Sequence, residues 1–77
     1  FILFEQAAKR GHVKSMGAMG RSFFLGEGTE EDPVLGLAWL INAANNQLPQ
    51  AIDRVKHFAE HEPVLYEEAM IKIAELM

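Results

Sequence analysis

Ala7-Ala8-Lys9-Arg10-Gly11-His12 and Ala43-Ala44-Asn45-Asn46-Gln47-Leu48 carry one pattern twice: a pair of alanines, then turn residues at the same distance. The displacement is 36 for both alanines (43 − 7 and 44 − 8), and the same shift pairs Leu3 with Trp39, Phe4 with Leu40 and Ser15 with Ala51. Self-similarity at a period between about 20 and 50 residues marks stacked repeats, in which each unit is too small to bury its own apolar face. The pattern therefore predicts an interaction scaffold rather than an enzyme.

Five helical segments are separated by short punctuation, and no segment alternates with a period of two. Residues 1–9 read as a helix stopped by Gly11. In residues 13–25, Val13, Met16, Met19, Phe23 and Phe24 recur at helical spacing. Gly17 and Gly20 lie inside that helix at a cost of about 1 kcal/mol each relative to alanine, which predicts a close backbone approach there. Gly26 can end the helix with a positive φ. Asp32-Pro33 then starts the next, a capping carboxylate followed by proline at the first helical position. That helix covers 33–45, and Pro49 and Pro63 open two more at 49–60 and 63–76. In the last, Tyr66, Ala69, Met70, Ile73, Ala74 and Met77 form an apolar stripe.

Composition narrows the function. Seventy-seven residues make at most one small domain, which buries only about 60 % of its unfolded surface. Eleven carboxylates against seven Lys and Arg give a net charge of −4, which argues against nucleic acid. No apolar run reaches the ~18 residues of a membrane span. The absence of cysteine removes disulfides and thiolate metal sites and fits a reducing compartment, without naming one. Opening on Phe1-Ile2-Leu3-Phe4 without an initiator Met, the chain reads as a piece of a longer protein, so targeting sequence is open.

Residues 13–51 resemble one unit of the Sel-one-like repeat family, relatives of the tetratricopeptide repeat. The resemblance rests on Ser15, Met19-Gly20, Phe23, Gly26-Glu27-Gly28, Asp32, Gly36, Trp39 and Ala43-Ala44 at fixed offsets. Residues 3–12 look like the tail of a preceding unit. Departures are Gln47 for the usual turn glycine, Thr29 for a common valine, and loss of the pattern after Ala51, where Val55-Lys56 stands in place of Leu-Gly. The organisation expected is a repeat tail at 1–12, one full repeat at 13–48 and a C-terminal capping helix pair at 49–77. The resemblance implies an all-α fold, an α-solenoid of antiparallel helix pairs serving as a protein–protein interaction adaptor. The alternative is a structural or oligomerising C-terminal arm of a larger enzyme or signalling protein.

Candidate chemistry is sparse. His57 and His61, four apart, share a helix face and suit a metal, with Glu60 and Glu62 as nearby oxygens. The metalloprotease motif, however, needs Glu where Phe58 stands. His12 falls at a turn and reads as structural. Glu27, Glu30, Glu31 and Asp32 cluster before a helix N-terminus, where capping and the helix dipole explain them. Gly26-Glu27-Gly28 lacks the third glycine and the lysine of a phosphate loop. No catalytic residue, metal or cofactor is expected.

Two surfaces remain. The helix at 33–45 is apolar nearly all round, and an exposed Leu or Ile there would forgo roughly 1.5–3 kcal/mol of burial. The stripe Val34, Ala38, Ile41 is therefore expected to be covered, by the capping helices, by a preceding part of the protein, or by another chain as an interface. The second surface is the inner groove of the solenoid, lined by the first helix of each pair, where Ala18, Arg21, Ser22 and Leu25 flank the packing positions Met19 and Phe23. Arg21 is the leading candidate to grip a partner carboxylate. The expected partner is another protein or peptide, with self-association through apolar edges such as Phe1–Phe4 also open.

Overall fold

Three prolines set the frame of the fold, because each fixes φ at a first helical position where its missing N–H is no loss. The computed structural model describes residues 2–76, leaving aside the side chains of Phe4 and Leu76. Among them run α1 (Ile2–Lys9), α2 (Val13–Leu25), α3 (Pro33–Asn45), α4 (Pro49–His61) and α5 (Pro63–Leu76). All the regular structure among the described residues is helical. Asp32 caps α3 as expected: its Oδ1 accepts the Leu35 N–H at 3.1 Å. His12 caps α2, its Nδ1 accepting the Ser15 N–H at 3.3 Å and lying 2.8 Å from the Ser15 hydroxyl. Leu48, which has no polar side chain to offer, precedes Pro49 without a side-chain cap.

The 36-residue displacement reappears in the backbone. At the end of α1, the N–H groups of Arg10, Gly11 and His12 donate to the carbonyls of Ala7, Ala8 and Ala7 at 3.1, 3.0 and 3.0 Å. At the end of α3, those of Asn46, Gln47 and Leu48 donate to Ala43, Ala44 and Ala43 at 3.1, 2.9 and 3.1 Å. Gly11 (φ 89) and Gln47 (φ 70) both take the left-handed conformation that reverses the chain after a helix. His12 (φ −76, ψ 107) and Leu48 (φ −78, ψ 112) then lead into α2 and α4 alike. The residue pattern stops after Ala51, but the helix boundaries do not: α2 and α4 have the same 13-residue length and start 36 residues apart (49 − 13).

α3 is the central element, in contact with α2, α4 and α5. It is buried on every side because it is apolar on every side, with Leu37, Trp39, Leu40 and Ala43 all in the core. Of the three covers open for its stripe, the structure has the first, α5 of the C-terminal helix pair. Ala38 is 0 % and Ile41 3 % exposed, and α5 lies against α3 with Ala69 and Ile73 in the same cluster. Ala38 and Ile41 are therefore not a free interface, and Val34 at the edge is half-buried. The expected α5 stripe is corrected too: Ala69 and Ile73 are buried and Tyr66 packs on the core, but Met70 and Ala74 face out. A helix resting chiefly on one neighbour buries a narrow seam, so one edge of an apolar stripe stays exposed. Met77 and Phe1 lie outside the described residues.

α2 and α3 cross at a pair of glycines. A Cβ added to Gly20 would sit 2.9 Å from the Gly36 carbonyl oxygen, and one added to Gly36 would sit 2.9 Å from the Gly20 oxygen. This is the close backbone approach expected of Gly20. Gly17 serves differently: its missing Cβ makes room for a side-chain methyl of Leu48, which would lie 2.9 Å away.

Candidate interaction groove between α2 and α4

Both α2 and α4 rest on α3, and the space between them forms an open groove of about 660 Å³. Their relative direction follows from two contacts. Gly17, early in α2, faces Leu48 at the start of α4, and Phe24, late in α2, stacks on Phe58, late in α4. The two helices thus run parallel, with α3 antiparallel to α2. The Phe24 and Phe58 rings lie 5.2 Å apart and 5° from coplanar, which closes the groove at one end.

From α2 the groove takes the helical row Lys14, Ala18, Arg21, Leu25, with Gly17 and Phe24 beside it; α4 supplies Gln50, Ala51, Arg54 and Phe58. Leu40 and Leu48 lie among them. In helical spacing Lys14 to Ala18 to Arg21 to Leu25 is i, i+4, i+7, i+11, one face of the helix. Three of the seven Lys and Arg line this groove, and none of the eleven carboxylates does. The ion pairs present among the described residues, Lys9–Glu5 at 3.9 Å and Lys72–Glu75 at 3.2 Å, involve none of those three cations.

Of the groove residues expected from the sequence, Ala18, Arg21 and Leu25 line it and Ser22 does not. Ser22 is 7 % exposed, because it follows Met19 by three and Ser15 by seven and so shares their buried face. Sequence reasoning missed Lys14 and the whole α4 wall. The displacement of 36 held the signal, since it carries Lys14 to Gln50 and Ala18 to Arg54.

His57 and His61 do come together, with ring centroids 4.4 Å apart on α4, and Phe58 meets His57 edge-on. Among the described residues no group of three or more His, Asp or Glu is arranged to hold a metal ion. Glu27, Glu30 and Glu31 are exposed in the α2–α3 connection, while Asp32 is engaged as the α3 cap. None of the helices described is long and apolar enough to cross a membrane. In comparisons with known proteins, no family model matches this chain, and no curated protein and no solved structure matches it significantly.

Proposed function

We propose that this chain is a helical-repeat module of the Sel-one-like kind that binds a segment of another protein in the groove between α2 and α4. The observation that carries this reading is the groove itself: two parallel helices, 36 residues apart in sequence, held side by side on α3. First helices of successive units line the concave face of an α-solenoid, the surface such proteins use for partners. The paired turns at Gly11 and Gln47 support the repeat, with α4 and α5 as its second, divergent helix pair in the capping position. At about 660 Å³ the groove is large enough for several side chains of a bound peptide.

Selection of displayed peptides against the folded chain tests the reading. Binders should lose affinity for Ala18→Trp, which fills the groove from a half-buried position while leaving the core intact. If selected peptides bound the wild type and Ala18→Trp equally, the groove would not be the site. The oligomerising-arm reading keeps one observation of its own: Ile2 and Leu3 on α1 are 68 % and 80 % exposed, and Val64 and Ile71 on α5 are both 67 % exposed. End-to-end association through those edges should appear as a solution mass that rises with concentration.

A further inference from the structure

The charge of the groove opposes the charge of the chain. The molecule carries −4 overall, yet the groove holds Lys14, Arg21 and Arg54 and no carboxylate. None of these cations has an ion-pair partner among the described residues, so their charge is directed at whatever enters. Resting on the groove reading above, we infer that the occupant is an acidic, apolar-centred peptide segment of a partner protein.

The positions give the segment a pattern. Lys14 and Arg21 are seven residues apart on α2, about 10 Å at 1.5 Å per residue. An extended chain covers that distance in about three residues. Between them α2 presents only Gly17 and the methyl of Ala18, with Leu40 and Leu48 beside them, so the wall there is apolar and low. An acidic residue meets Lys14, apolar side chains rest on Leu40 and Leu48, and a second acidic residue meets Arg21 with Arg54 supplied from α4. Arginine adds specificity here, because its planar fork pairs with a carboxylate through two hydrogen bonds. A nucleic acid fits less well: three cations neutralise few phosphates, and the remaining surface is net acidic.

The test is fluorescence anisotropy with three labelled octapeptide pools. In the first, two glutamates three residues apart flank an equal mixture of Leu, Ile, Val, Phe and Met; the second and third carry Gln or Lys in place of the glutamates. The glutamate pool should bind at least about fivefold more tightly than the glutamine pool, the range two or three partly exposed ion pairs can supply. The preference should fade as salt rises from about 50 mM to about 0.5 M, because the groove is open to screening. Arg21→Glu with Arg54→Glu should weaken the glutamate pool about tenfold or more and turn the preference toward the lysine pool. Both arginines are exposed, so the thermal melt should hold steady.

Equal binding of all three pools that Ala18→Trp still abolishes would keep the groove and overturn the acidic occupant. Binding unaffected by both Ala18→Trp and the charge reversal would overturn the groove reading itself. No binding by any pool would overturn the acidic segment. So would tighter binding of a single-stranded oligonucleotide than of the glutamate pool, or self-association of the chain that the charge reversal removes.

Discussion

Replacing Gly20 with alanine sets two effects of known sign against each other. Within a helix the substitution should stabilise by about 1 kcal/mol through propensity. At this position, however, the new methyl would lie 2.9 Å from the Gly36 carbonyl oxygen and 2.9 Å from Leu40 Cγ. The oxygen belongs to a helix backbone that cannot turn aside, so α2 and α3 must separate by about half an ångström to reach ordinary contact. A gap of 0.5–1 Å forfeits roughly a quarter to a half of each dispersion contact along the seam, where Met16, Met19, Phe23, Leu37 and Leu40 are buried. Overpacking of this kind costs about 1–3 kcal/mol, so against the propensity gain the net change is a loss of up to about 2 kcal/mol. For a domain of this size that lowers Tm by up to roughly 15 °C. Gly17→Ala is the control, because its methyl meets only the mobile end of Leu48. It should be neutral or stabilising by up to about 1 kcal/mol. The assay is a pair of urea and thermal melts followed by circular dichroism. If Gly20→Ala melted at or above Gly17→Ala, the backbone crossing would be wrong.

The paired turns give opposite expectations: Gln47→Gly should raise stability by about 0.5–1 kcal/mol by relieving a left-handed side-chain residue, and Gly11→Gln should lower it by a similar amount, both read from urea midpoints. Equal and null effects would deny that the turns are equivalent. Asp32→Ala should cost about 1 kcal/mol by leaving the Leu35 N–H without its cap, with Asp32→Asn recovering most of it in the same melts. Ile41→Glu should abolish the cooperative transition, since it places a carboxylate in a site 3 % exposed, whereas Val34→Glu at the half-buried edge should shift the melt only slightly. A normally folded Ile41→Glu would show that the α3 stripe is not covered.

Helix boundaries were legible because the residues that set them act locally. Pro33, Pro49 and Pro63 open helices in the structure where their chemistry says they must, and Gly11 and Gly26 take the positive φ that ends one. Gln47 was legible only as a departure; that it holds the same left-handed turn as Gly11 depends on the chain on both sides of it, not on its side chain. Which neighbour covers a helix was harder to read. The all-round apolar character of α3 required a cover, but periodicity could not choose between α5 and another molecule. The same limit explains Met70 and Ala74, which extend an apolar stripe beyond the seam that α5 buries.

The groove was half legible for a related reason. On α2 the row from Lys14 to Leu25 is a helical face, so one wall could be anticipated once α2 was assigned; Ser22, placed there because it flanks Met19 and Phe23, instead shares their buried face. The α4 wall repeats the placement of α2 while sharing few of its residues: Gln50 stands for Lys14 and Arg54 for Ala18. Position is conserved between the two helices because α3 offers each a face to rest on, whereas side chains that point into open space are unconstrained by packing. Those same unconstrained positions carry all three groove cations. The small residues between them have a shared consequence. Gly20 lets α2 settle onto α3, Gly17 admits Leu48, and Ala18 leaves the space above them empty. Packing accounts for Gly20 and Gly17, which face the Gly36 carbonyl and Leu48, whereas a larger residue at Ala18 would fill the groove. An apolar trough rimmed by cations that have no ion-pair partner among the described residues is what the proposed peptide-binding role calls for.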